Sequence, residues 1–335
     1  MIKSTKNIER GIGKKIVQNI FRRTETGVFI ALILIGIVIS ILSPRFLSLS
    51  NFVNILRQAS VLGIMTMGIT LLMISGEFDL SIGSTFAVAP ILFVDLMFRE
   101  FPIGLALLLS LLIGPLFGFI NGFLVTRTRV HSFIITLGTM MIYRGAALVI
   151  SGGWPKSLDI IGVSDHFIIR ALGQGRIYGF VPTPIIWFII SIIICWIVLS
   201  KTTHGFKIFA TGGNIEAAKI SGINTDTVKI INFMIVGFLA AFAGIISLTY
   251  LGTSSPTMGS GYELEAIAAT VVGGTALGGG AGSIIGAFLG AFILSEIRNG
   301  LVLNMVDVYY QQAVLGAVII IAVIINAQVF RRLRR

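Results

Sequence analysis

Two carboxylates stand two residues apart in "ISGEFDLSIGS", residues 74–84. Glu77 and Asp79 follow a nearly uninterrupted apolar run, with Gly76 before them and Gly83 after. Charges beside hydrocarbon are costly and face a cavity, water or a partner. The flanking glycines break the helix, and the freed N–H and C=O groups must be buried in protein or line a wet path. Asp79 or Ser81 is placed to cap the helix that follows. A tight turn at a membrane surface and a turn beside a route through the membrane both fit this stretch. Covalent chemistry has no comparable constellation. His131, His166 and His204 lack metal-ligand spacing, so neither a metal site nor catalytic residues are expected. The glycine-rich stretch ending Ala281-Gly282-Ser283 lacks the lysine of a phosphate loop. Cys195 is the single cysteine, so no disulfide can form within the chain.

Two further stretches carry information. "VVGGTALGGGAGSIIGAFLGAF", residues 271–292, echoes the first: an apolar segment, a glycine-bounded turn, then Gly-Ser opening a helix. Gly282, Gly286 and Gly290 recur every fourth residue, which puts small residues on one helix face and permits close packing in lipid. Broken helices at matching places in two halves mark transport routes. Gly274 therefore joins Gly76, Glu77, Asp79 and Ser81 on a candidate path. Asn54, Gln58, Thr66 and Asn121 are added as polar residues in apolar runs; the ordinary role of such residues is to bond helix to helix. The other stretch is "TGGNIEAAKISGI", residues 211–223, polar between two long apolar runs. Asn214 can cap a short helix, and Glu216 favours its positive N-terminus. Ala217 and Ala218 keep one face narrow, and Gly222 ends the helix cheaply at positive φ. Such a helix is a small rigid knob suited to a groove on another protein.

The elements that must position these residues follow from composition. The chain of 335 residues is 55% apolar and 12% charged, about half the charge of a soluble domain. A spanning helix needs about 20 apolar residues. Charge-free runs at 26–44, 58–76, 101–126, 177–200, 230–262, 266–295 and 308–330 supply them. The expected architecture is all-α and polytopic, with about ten membrane helices. They lie near 27–43, 55–75, 83–98, 103–126, 131–150, 181–200, 230–251, 263–276, 283–298 and 308–328. Residues 1–26 form a basic N-terminal segment, with an amphipathic helix expected in it. Residues 27–330 form one membrane domain with a cytoplasmic loop at 201–229, and 331–335 are a basic tail. Lys and Arg concentrate in the segments that are cytoplasmic if both ends lie inside, which places 211–223 there too. The net charge of +11 is assigned to lipid headgroups, not nucleic acid. Arg57, Arg144, Glu263, Glu265, Glu296 and Arg298 fall toward the outer half of their spans, where ion pairs bracing an outer mouth are expected.

Four blocks carry a family resemblance: "NFVNILRQASVLGIMTMGITLLMISGEFDLSIGS", "NGFLVTRTRVHSFIITLGTMMIYRGAALVISGG", "THGFKIFATGGNIEAAKISGI" and "GYELEAIAATVVGGTALGGGAGSIIGAFLGAFIL". In this order the chain resembles, from about 45 to 330, the permease subunit of a bacterial carbohydrate ABC importer of the ribose, xylose, galactose and autoinducer-2 type. The resemblance implies a multi-pass protein of the bacterial cytoplasmic membrane. It implies a second permease subunit, an ABC ATPase and an extracytoplasmic sugar-binding protein as partners. ATP and Mg would bind the ATPase; this chain would hold no cofactor. The loop with Gly212, Gly213, Asn214, Glu216, Ala217, Ala218 and Gly222 resembles the helix that couples to the ATPase. The family more often reads Gly-Gly-Ile-Asp-Leu-Ser where this chain has Glu77 and Phe78 before Asp79. His131-Ser132 replaces a Pro-Pro-like pair, which should loosen that helix start. The rival reading is an ATP-independent carrier using Glu77 and Asp79 as an ion site.

Overall fold

The structure is a computed structural model that describes residues 24–333. The helix expected within 1–26 therefore lies outside the described residues, as do the last two residues of the basic tail. Twelve helices longer than five residues make up the described chain. They are α1 (Thr24–Leu42), α2 (Leu49–Ile74), α3 (Ile82–Phe98), α4 (Ile103–Thr128), α5 (Ser132–Ser151), α6 (Thr183–Lys201), α7 (Thr203–Gly213), α8 (Ile215–Ile220), α9 (Thr225–Leu251), α10 (Tyr262–Val272), α11 (Ile284–Leu303) and α12 (Val308–Leu333). Strand is confined to two two-residue pairs, β1 (Lys156–Ser157) with β4 (Thr253–Ser254), and β2 (Arg176–Ile177) with β3 (Val181–Pro182).

Each of the ten expected membrane segments falls on a helix. Seven of these helices are long and apolar enough to cross a membrane: α1, α2, α4, α5, α6, α9 and α11. The apolar helix α3, with 17 residues, falls short of that length, while α12 runs for 26 residues. α10 has 11 residues, a rise of about 16 Å against a hydrocarbon core of about 30 Å. Among the described residues seven helices thus have the length and hydropathy of a crossing; α3, α10 and α12 carry the other three expected segments.

Burial sorts the helices into layers. α2 is 78% buried over its most apolar window, and α9 and α11 are 67% buried. α1 is 6% buried, and α4 and α5 are 22% buried, so the outer helices present apolar side chains to lipid. α9 lies at the centre, packed on α2, α3 and α4. Its contact with α4 is close because glycines face it: a Cβ on Gly237 would lie 2.1 Å from the Gly114 carbonyl oxygen. Only bare backbone fits there. The α10–α11 contact works the same way, with Gly286 against Gly273 and Gly290 against Ala269. Gly282, expected on that helix face, instead lies in the turn before α11.

The polar segment between α5 and α6 does not stand alone. Leu158, Ile169 and Leu172 are buried against α3 and α9. β1 pairs with β4, and the Leu158 N–H donates to Gly252 O at 2.9 Å. Arg144 on α5 donates to the carbonyls of Pro256 (2.7 Å) and Met258 (2.8 Å), tying the α9–α10 connection to α5.

Candidate functional site

The polar stretch 211–223 holds the end of α7 and the whole of α8. Gly212 and Gly213 end α7, whose start is capped by the Thr202 hydroxyl accepting from Gly205 N at 3.2 Å. Asn214 alone separates α7 from α8. Its Oδ1 accepts from Ala217 N at 3.0 Å, the cap the sequence called for. Gly222 takes φ 81°. Its N–H donates to Lys219 O (2.9 Å), and that of Ile223 to Ala218 O (3.0 Å), closing a Schellman motif. Ala218 is buried, while Glu216, Ala217, Lys219 and Ile220 are exposed. Ile220 is 88% exposed, an apolar side chain left uncovered at the tip of a rigid helix. Glu216 and Lys219 pair loosely at 3.4 Å.

The turn between α2 and α3 brings Gly76, Glu77, Asp79, Ser81 and Asn121 together. Gly76 has φ 92°, which glycine adopts without strain. Glu77 pairs with Lys229 of α9 at 2.5 Å, both side chains nearly buried. Asp79 Oδ1 accepts from Ser81 N (2.8 Å) and Ser81 Oγ (2.7 Å). Asn121 of α4 donates to Ser81 Oγ at 2.8 Å and to Asp79 at 3.3 Å. Ser81 occupies the N-cap position of α3 without a side-chain cap bond of its own. The hydroxyls of Ser132 and Thr136 on α5 accept the N–H groups of Phe78 (3.0 Å) and Leu80 (3.1 Å). The start of α5 is thus not loosened by His131-Ser132: Ser132 is buried and bonded to the turn. The N–H groups of Gly76, Glu77, Phe78, Leu80 and Ser81 all donate within the protein, as burial requires.

The second break, between α10 and α11, packs on the first and on the end of α7. Gly274, Gly279 and Gly280 have positive φ. Gly280 N–H donates to Ile74 O at 2.8 Å. A Cβ on Gly279 would lie 3.0 Å from Gly76 Cα, and one on Gly212 would lie 1.7 Å from Ile74 O. Asn326 of α12 donates to Val271 O (3.1 Å) and Thr275 O (3.0 Å). Ser283 caps α11 by accepting from Gly286 N at 3.0 Å. Three backbone segments, far apart in sequence, converge on one point.

Other expected residues lie elsewhere. Asn54 is exposed near the start of α2. Gln58 borders a small cavity with Tyr262, Glu265 and Arg298. The buried Thr66 bonds Leu62 O in its own helix at 2.8 Å. None of the three reaches the break. Of the outer charges, Arg298 and Glu265 form the one expected ion pair among the described residues. Arg57 lies over the Tyr250 ring, 4.8 Å from its centroid. Glu296 is buried with Oε2 unpartnered.

A groove of about 730 Å³ opens beside α8, lined among others by Glu77, Arg129, His131, Ile215, Lys219 and Lys229. Arg129 grips Asp226 through two bonds of 2.8 Å, and this hydrogen-bonded carboxylate raises the arginine's pKa. Sequence reading missed Lys229, Ser132, Thr136 and Asn326. Ser132 and Thr136 could have been found as hydroxyls one helical turn apart at the start of α5; nothing local marks Lys229 or Asn326.

Residues 51–323 match the family described as branched-chain amino acid transport system / permease component. The chain is 39% identical over 302 residues to the ribose import permease protein of Bacillus subtilis (strain 168), covering 90% of this chain and 92% of that protein. It is 40% identical over 297 residues to the ribose import permease protein of Escherichia coli (strain K12), covering 89% and 92%. It is 33% identical over 342 residues to the xylose transport system permease protein of the same strain, covering 86% and 87%. No solved structure matches the chain.

Proposed function

We propose a function from one fact: this chain belongs to the family of branched-chain amino acid transport system permease components. It is a transport subunit and not an enzyme, a multi-pass protein of the bacterial cytoplasmic membrane. We assign it to an ABC importer that takes in a monosaccharide or related small polyol of the ribose type. A binding protein delivers the sugar to the outer face, and a second permease subunit completes the path. An ATPase subunit, which would hold ATP and Mg, docks from below. Ten membrane segments with both ends cytoplasmic is the topology of this reading, supported by the placement of Lys and Arg.

Transport by alternating access needs two conformations and a way to bias them. The observation that carries the coupling role is α8: a capped helix anchored by Ala218, showing Glu216, Ala217 and Ile220 outward. Its exposed apolar tip fits a groove on a partner protein. The carrier reading that relies on Glu77 and Asp79 has less support. Glu77 is engaged by Lys229, and Asp79 by Ser81 and Asn121.

Tagged chain should bring an ATPase subunit through purification. Glu216→Arg should cut that association and ribose or xylose uptake by about tenfold or more while membrane levels hold. Unaided solute movement by the purified chain would sink this function.

A further inference from the structure

We propose that Gly212 is the positioning residue through which motion of α8 reaches both helix breaks at once. This rests on the ATP-driven reading above. Gly212 is not among the glycines of positive φ, so its backbone does not require glycine. Its space does. A Cβ there would stand 1.7 Å from the Ile74 carbonyl oxygen and 2.7 Å from Gly280 N. That same carbonyl accepts the Gly280 N–H at 2.8 Å. The end of α7, the last residue of α2 and the turn before α11 therefore touch backbone to backbone. No flexible side chain lies between them to absorb a displacement, and packed elements of this kind switch between arrangements instead of stretching.

The input side is equally short. Asn214 caps α8 with its side chain and bonds Ala210 O of α7 at 3.2 Å with its N–H, so α7 and α8 are joined without slack. The contact is also flanked by hydroxyls left over in the present arrangement. Thr211 and Thr275 are buried, and the Oγ1 of each has no hydrogen-bond partner. Thr211 neighbours Gly212, and Thr275 Oγ1 lies 2.7 Å from where a Gly282 Cβ would be. Unpaired buried hydroxyls call for an explanation; a second arrangement of this junction, in which they find partners, provides one.

The test is Gly212→Ala in the permease–ATPase complex reconstituted in proteoliposomes, with Gly104→Ala as control, because a Cβ at Gly104 meets nothing within 4 Å. Gly212→Ala should lower uptake more than hydrolysis, so that the ratio of sugar imported to ATP hydrolysed falls about tenfold, the loss of coupling. Uptake that stays in proportion to hydrolysis would overturn the proposal. Hydrogen exchange on the wild-type complex gives an answer independent of how the variant folds. A non-hydrolysable ATP analogue should change exchange in 74–77 and 279–282 together with 211–223. A change confined to 211–223 would overturn the proposal too. Absence of any bound ATPase would instead defeat the importer reading on which it rests.

Discussion

Lys229 stands at the foot of α9, and its partner Glu77 comes from a turn 152 residues earlier. Their side chains are 13% and 12% exposed, so removing one partner strands the other in a poor solvent. Lys229→Ala should lower the melting temperature in detergent, at a cost of about 2–4 kcal/mol. Replacing both residues with leucine should recover most of that loss. If the single and double variants melt alike, the pair contributes nothing specific. The sequence announced Glu77, a charge after an apolar run, but not Lys229, because ion pairing between distant segments leaves no periodicity. Asp79 was legible for the same reason as Glu77. Its partners Ser81 and Asn121 were each singled out, though without any sign that they meet. Asn214 was more transparent, since a cap acts within three residues.

Helices were legible wherever the apolar run was long. Nine of the ten expected segments follow helices nearly end to end, because burial in lipid and helical hydrogen bonding impose the same pattern over about 20 residues; the tenth, 263–276, leaves its helix at Val272 and ends in the glycine turn. The short helix read between Asn214 and Gly222 is α8, and the extended backbone of Asn214 (φ −156°, ψ 105°) is that of an N-cap; what composition does not signal is that α7 runs up to Gly213 on its other side. The glycine spacing foretold the α10–α11 contact at Gly286 and Gly290, but not the place of Gly282 in the preceding turn. The α4–α9 contact follows the same logic. Gly237→Leu would force α4 away from α9, since even a Cβ there would meet Gly114 O at 2.1 Å. The variant should reach the membrane at a few tenths of wild-type yield or less, consistent with an overpacking cost of about 1–3 kcal/mol or more. Full yield and an unchanged melt would show that the two helices can part freely.

At the scale of the whole molecule, the proposed topology is open to direct test. Cys195 is the single cysteine and is buried in α6, so Cys195→Ala gives a clean background. In it, Lys219→Cys should react with a membrane-impermeant maleimide only in permeabilised cells, and Ile160→Cys in intact ones. The reverse pattern would place α8 on the wrong side and end the coupling assignment. Ile160 belongs to the stretch between α5 and α6, which is too short to bury a core of its own. It does not need its own core, because Leu158, Ile169 and Leu172 use that of α3 and α9. Lys156 and Ser157 are meanwhile zipped to Ser254 and Thr253. A sugar-carrying protein that docks on this face, as proposed above, would meet a loop already tied to the core and to the α9–α10 connection. Each residue fixed in advance is one whose freedom the encounter does not have to remove.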